Sequence, residues 1–307
     1  MTNKKKQHIV IICGPTASGK TDLSLQLAKV LPKANMLSVD SRQVYKGLDI
    51  ITGKDIPNNL SSKIKILGHN LFAPDEMANL AEFTRYSKKI IHDSNKTSTP
   101  LIIVGGTGLY LKAITQNLSD ISIPRNPFIR QELEKLSLSE LQNFLKKENP
   151  VKYQSLNRSD SMNPRRLIRY IEISRSKAPS PIKKTINISF QWVGLMPDKK
   201  TIIESIKKRV LQRIKTGALD EVKNLLINYP NRNLPIYTSL GVSQIIEYLE
   251  GKISKKKLIE IWTKAETDYA RRQIVWFKKQ PNIVWYDNST DTSLLIDKLK
   301  NIYQQNA

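Results

Sequence analysis

His8-Ile9-Val10-Ile11-Ile12-Cys13-Gly14-Pro15-Thr16-Ala17-Ser18-Gly19-Lys20-Thr21 is the stretch that decides the fold of this chain. An apolar run of buried-strand type enters a glycine-rich turn, and a helical pattern begins at Lys20. Strand, Gly-x-x-x-x-Gly-Lys-Thr and helix in that order form a phosphate-binding loop. Backbone N–H groups must wrap the phosphates, so bulky residues at the tight points would block the approach. Gly14 and Gly19 leave that room, with Pro15, Thr16, Ala17 and Ser18 forming the turn between them. Lys20 supplies a point charge for non-bridging oxygens, and the Thr21 hydroxyl is placed to ligate Mg²⁺. The motif leaves open which phosphate compound binds and whether a phosphoryl group moves.

Outward from this loop, strand-like runs at residues 8–13, 35–39, 64–67 and 101–104 alternate with helical stripes. One stripe is Leu23, Leu27, Val30 and Leu31; another is Leu80, Phe83, Ile90 and Ile91. Alternation of this kind predicts a parallel sheet covered by helices. A second cluster, Gly105-Gly106-Thr107-Gly108, follows a strand and precedes a helix at residues 109–114, which puts it on the same carboxyl-end rim as the first loop. The pattern breaks near residues 119–127 and turns wholly helical to about residue 176. A Pro/Ser/Lys stretch at residues 177–181 closes that segment, a strand-like run at 186–195 resumes, and the remainder reads as helical almost to the end. The fold expected is α/β: a P-loop NTPase-like parallel sheet flanked by helices, with an inserted all-helical subdomain. Residues 1–120 and 186–307 form the core and 121–185 the insertion.

Fifty Lys and Arg against 27 Asp and Glu give a formal charge of +23, which suits a polyanionic partner or, alternatively, a solvated basic surface. The single cysteine, Cys13, excludes a disulfide framework and a multi-cysteine zinc finger. Lys4-Lys5-Lys6 precedes an apolar run too short for a secretion signal, and no other run approaches a membrane span, so a cytoplasmic protein is expected.

Asp40 closes the second strand in Leu37-Ser38-Val39-Asp40-Ser41-Arg42-Gln43-Val44-Tyr45. A carboxylate there could bind metal through water, accept a proton, or cap the next segment. In residues 203–214 the stripe Ile203, Ile206, Val210 and Ile214 is flanked by Arg209 and Arg213, either of which could reach a phosphate or snorkel to solvent. Arg165, Arg166 and Arg169 cluster after Asn163-Pro164, while Arg271-Arg272-Gln273-Ile274-Val275-Trp276-Phe277 mixes cations with aromatics. Both segments suit RNA, and the aromatics equally suit the core. His8, His69 and His92 lack metal-ligand spacing.

Together these motifs resemble the tRNA dimethylallyltransferases, or tRNA isopentenyltransferases. The resemblance rests on residues 14–21, Asp40-Ser41-Arg42-Gln43-Val44-Tyr45, Gly105-Gly106-Thr107-Gly108-Leu109-Tyr110, the Arg165–Arg169 cluster and Arg272-Gln273 with Trp276-Phe277. It implies that the loop holds dimethylallyl pyrophosphate with Mg²⁺ on Thr21, and that the prenyl group passes to N6 of the adenine 3′ to the anticodon in tRNAs reading U-starting codons. Asp40 would take or bind the N6 proton, and Thr16, Lys20, Thr21 and Arg209 would stabilise the departing pyrophosphate. The family is expected to flip the base into a channel lined by Asp40, Ser41, Arg42, Gln43 and Thr107. Arg130, Arg165, Arg166, Arg169, Arg272 and Gln273 would grip the anticodon stem-loop. A monomer of the compact bacterial type is expected. The chain departs from the family pattern at Ile51-Thr52-Gly53-Lys54, where Gly-Thr-Ala-Lys is usual, at Gly241-Val242, and in its Met162-Asn163-Pro164 lead into the arginine cluster. The rival readings are an ATP-dependent P-loop kinase or NTPase and an RNA-binding protein that only senses nucleotide.

Overall fold

The computed structural model describes residues 7–57, 59–116, 119–121, 123–176, 188–287 and 289–304. The basic segment at 4–6, the stretch at 177–181 and the expected strand start at Ile186 lie outside them. The chain forms two compact units, Met1–Thr115 with Thr185–Ala307, and Gln116–Lys184. The first unit begins with β1 (Gln7–Cys13), α1 (Lys20–Lys29), β2 (Ala34–Val39), α2 (Asp49–Thr52), β3 (Ile64–Leu67), α3 (Leu80–Lys96), β4 (Leu101–Gly105) and α4 (Gly108–Thr115). The second unit holds α5 (Pro127–Leu133), α6 (Leu138–Glu148), α7 (Pro150–Gln154), α8 (Arg158–Ser161) and α9 (Pro164–Arg175). The first unit then resumes with β5 (Ile188–Leu195), α10 (Lys199–Thr216), α11 (Ala218–Asn228), α12 (Val242–Leu249), α13 (Lys255–Phe277), β6 (Ile283–Tyr286) and α14 (Thr292–Gln304).

The six strands form one sheet in the order β3-β2-β4-β1-β5-β6, every neighbouring pair parallel. Strand alternation sorts β1 between two cores: Ile9, Ile11 and Cys13 join the larger, Val10 and Ile12 the smaller. Burial on both faces explains the continuous apolar runs of β1 and β4. Residues of α3, α4 and α10 to α13 build the larger core, and those of α1 and α14 the smaller. All strands point the same way, so the chain segments leaving β1, β2 and β4 meet along one rim.

Three expectations need correction. β6 replaces the helical reading of the carboxyl-terminal segment: Ile283 to Tyr286 pair with Trp192 to Leu195, a run too short to show a period in sequence. Val30 is 43 % exposed because α1 ends at Lys29 and Val30 is its C-cap. On α10 the buried face is Ile202, Ile206, Val210 and Arg213; of the expected stripe Ile206 and Val210 are buried, whereas Ile203 is exposed and Ile202 takes its place. Spacings of four, four and three follow the 3.6-residue turn, and they carry an arginine into the interior.

The second unit packs Leu133, Leu141, Leu145, Leu167, Ile168 and Ile171 into its own core. Its helices start on strong caps: Ser137 and Glu140 form a capping box on α6, and Asn163 caps α9, with Pro164 in the first turn. Among the described residues no helix is long and apolar enough to cross a membrane.

Candidate active site

The rim carries a cavity of about 330 Å³ lined by Thr16, Lys20 and Thr21 after β1, Asp40 to Gln43 after β2, Gly105 and Gly106 at the end of β4, and side chains from α10 and α13. At the loop, Gly14 has φ 142°, and a Cβ there would overlap the Leu195 carbonyl oxygen of the neighbouring strand. Gly19 (φ 83°) caps α1, and Ala17 (φ 60°) takes the left-handed form that a non-glycine residue adopts only under constraint. Lys20 Nζ donates to the Pro15 carbonyl and to Ser18 Oγ. Burial, and then Arg209 beside it, lower the Lys20 ammonium to about 8.

Asp40 caps the next turn, as one of its sequence readings expected, and it also lines the cavity. Its Oδ1 accepts from the backbone N–H of Arg42 at 2.7 Å and of Gln43 at 3.4 Å. Tyr269 of α13 also lines the cavity; burial and then Asp40 push its phenol up to about 12, and a side-chain hydrogen bond joins it to Thr107. Ser41 N–H donates to Thr107 Oγ1 at 3.4 Å. Arg42 donates to the Pro235 carbonyl at 2.9 Å and to Thr238 Oγ1 at 2.7 Å, which ties the β2 segment to residues before α12.

The amides of Gln43 and Gln273 are spent inside the protein. Gln43 Oε1 accepts from Ser38 Oγ at 2.6 Å, and its Nε2 donates to the Gly53 carbonyl at 2.7 Å. Gln273 Oε1 accepts from Thr16 N–H at 2.8 Å, and its Nε2 donates to the Gly106 carbonyl at 2.9 Å, so α13 staples the β1 loop to the β4 loop. The glycine cluster is built for this docking: a Cβ at Gly106 would overlap Gln273, and one at Gly108 would overlap the Trp276 ring. Phe277 is fully buried, and Ile274 and Trp276 pack against the larger core. The core reading of these aromatics therefore holds. Arg272 stays exposed at the cavity, its guanidinium 5.6 Å from the Tyr269 ring centre.

Over the loop, Arg209 Nη2 donates to Thr16 Oγ1 and, at 3.2 Å, to Glu266 Oε2. Glu266, Tyr269, Arg272 and Gln273 share one face of α13 at spacings of three and four, a signal that begins just before the segment read for its cations and aromatics. His69 and Lys54 also border the cavity without having been singled out for it. Lys54 is buried and bonded to the Tyr45 carbonyl at 2.6 Å, Asp49 Oδ1 at 2.5 Å and Asn70 Oδ1 at 2.5 Å. Burial, and then Lys54, lower the His69 imidazole to about 4, so it is neutral near pH 7.

Among the described residues no three His, Cys, Asp or Glu side chains group as a protein-only metal site. The Thr21 hydroxyl beside the phosphate loop fits a hard cation that takes its other ligands from phosphate oxygens and water, as Mg²⁺ does.

Within the second unit, buried Glu172 accepts a two-pronged bond from Arg130 (Nε at 2.7 Å, Nη2 at 2.8 Å), and Arg169 donates to it at 3.4 Å. Arg169 also donates to the carbonyls of Asp120 at 2.7 Å and Ile123 at 2.8 Å. Arg166 pairs with Asp160. Arg165 is exposed, and no protein partner engages it among the described residues.

A glycine loop after β1, a carboxylate after β2 and cations from α10 surround one cavity of a P-loop fold, an arrangement suited to a phosphate ester. The chain's relatives narrow this class. The profile of the IPP transferase family matches residues 43–280, and the chain belongs to that family. The tRNA dimethylallyltransferase of Clostridioides difficile (strain 630) is 32% identical over 97% of this chain and 96% of its own. That of Gloeothece citriformis (strain PCC 7424) is 32% identical over 98% of each chain. Among solved structures, the full-length tRNA isopentenylpyrophosphate transferase of Bacillus halodurans superposes with a TM-score of 0.71 at 28% identity, covering 98% of both chains.

Proposed function

We infer that this chain transfers the dimethylallyl group of dimethylallyl pyrophosphate to N6 of the adenine 3′ to the anticodon in tRNAs reading U-starting codons. The observation that carries this reading is one shared cavity, in which the phosphate loop and a carboxylate face the same space. The bond from C1 of the prenyl group to the bridging oxygen breaks, the N6–C1 bond forms, and pyrophosphate leaves. Asp40 takes the N6 proton through the carboxylate edge that does not cap the turn. N6 is a poor nucleophile because its lone pair is delocalised into the ring, so loss of that proton and in-line placement lower the barrier. Lys20, Arg209 and the Thr16 hydroxyl hold the charge growing on the leaving pyrophosphate. Mg²⁺, held by Thr21 and the pyrophosphate, would neutralise part of that charge. Gln43 and Gln273 serve by holding the rim, and Ser41, Arg42 and Thr107 line the adenine's entry. In the insertion, Arg165 offers a free guanidinium to phosphate, while Arg130, Arg166 and Arg169 offer only the N–H groups left over from their ion pairs.

The test incubates the protein with unmodified tRNA, Mg²⁺ and dimethylallyl pyrophosphate, without ATP, and analyses digested nucleosides by mass spectrometry. Dimethylallyladenosine at the position 3′ to the anticodon is expected. An unmodified digest, or modification only with ATP, would overturn the reading and return the kinase alternative.

A further inference from the structure

The cavity's cations rest on a carboxylate that the transfer chemistry does not use. Arg209 and Arg213 stand one turn apart on α10, and both reach Glu266 of α13: Arg213 Nη1 lies 3.0 Å from Oε1 and Arg209 Nη2 lies 3.2 Å from Oε2. Glu266 is 4 % exposed and Arg213 7 %, so both charges are largely withdrawn from water. The pocket for Arg213 is built into the backbone, since Gly53 has φ 68° and a Cβ there would overlap the Arg213 guanidinium. Arg213 Nε and Arg209 Nε have no partner among the described residues, so Glu266 is the carboxylate that anchors both guanidiniums.

We propose that Glu266 is the positioning residue of the leaving-group site: one carboxylate spans two guanidiniums and fixes Arg209 against the Thr16 hydroxyl. Two guanidiniums in a dry site repel unless an anion lies between them, and the more exposed of the two is the one free to leave. Arg209 is that one, with a quarter of its side chain exposed against less than a tenth for Arg213. Without the carboxylate, Arg209 swings towards solvent and loses the Thr16 contact, while Arg213 stays enclosed. The preorganised arrangement spares the enzyme from gathering its cations as the C1–O bond breaks. This inference rests on the assignment of Arg209 to the leaving pyrophosphate, and the test separates the two.

The experiment is a double-mutant cycle of E266Q and R209A, reading the single-turnover rate of prenyl transfer and the Kd for unmodified tRNA. E266Q alone is expected to slow transfer by about 10²-fold, as for loss of one oriented donor, with tRNA Kd unchanged. In the R209A background, E266Q is expected to slow it less than about threefold further, because the residue it positions is gone. Equal slowing by E266Q in both backgrounds, or loss of tRNA affinity in step with rate, would overturn the proposal and leave the Arg209 assignment intact. R209A at the native rate would overturn both. Should E266Q melt below the assay temperature, R213M/E266M replaces the buried pair with apolar groups of similar length and still frees Arg209. That variant is expected to fold and be slow, and a native rate from it would overturn the proposal.

Discussion

Asp40 combines an observed structural duty with the chemical one proposed for it. Its Oδ1 holds the turn that carries Arg42 and Gln43, so truncation to alanine would remove a cap worth about 1 kcal/mol along with the base. Asparagine keeps the capping oxygen and removes only the proton acceptor. D40N is therefore expected to bind tRNA with native affinity, to melt within a few degrees of the native protein and to turn over about 10²-fold more slowly, checked by filter binding, melting and single-turnover assay. Parallel loss of binding and rate would make Asp40 a structural residue. Lys20 sets a pH dependence. Its free-state value near 8 means that it sheds its proton as the pH passes 8, whereas bound pyrophosphate favours the charged form and raises that value again. Affinity for dimethylallyl pyrophosphate is thus expected to be full below pH 8 and to fall as pH rises above it. Calorimetry at pH 8.5 in buffers of different ionisation heat should register proton uptake on binding; no uptake would contradict this role.

At the scale of elements, α13 governs the site because it touches both glycine loops and the α10 cations. Its Gln273 staple and the Trp276 contact require the bare backbone of Gly106 and Gly108. G108V is expected to cost about 1–3 kcal/mol, as overpacking does, and to lower the melting temperature of the first unit; an unchanged melt would contradict this packing. Much of this architecture was legible in the sequence. Apolar runs announced β1 to β4, with turn glycines closing β1, β3 and β4, and the Gly-x-x-x-x-Gly-Lys-Thr spacing located the cavity. What stayed hidden depended on tertiary partners: β6 is a strand only because β5 offers an edge, and Arg213 is buried only because Glu266 and Gly53 receive it. Arg130 and Arg169 read as RNA grips, yet each also satisfies a buried carboxylate that lies distant in sequence or on the inner helix face. The departure at Gly53 has a local cause, since the usual alanine would place its methyl group on Arg213.

For the whole molecule, the formal charge of +23 makes RNA binding a counterion-release process if several phosphates are neutralised. The tRNA affinity is expected to fall steeply and linearly on a log–log plot against salt. R165A is expected to lower that slope by about one with little effect on the transfer rate at saturating tRNA, and a flat salt response would remove the charge from the binding argument. The proposed pairing of a phosphate loop and a base in one cavity fixes what should be counted in the end: pyrophosphate released against prenyl groups on tRNA, in Mg²⁺ and without ATP. One pyrophosphate per prenyl group is expected from the native protein, with both signals lost together in D40N. Phosphate release that requires ATP and leaves the RNA unlabelled would contradict it.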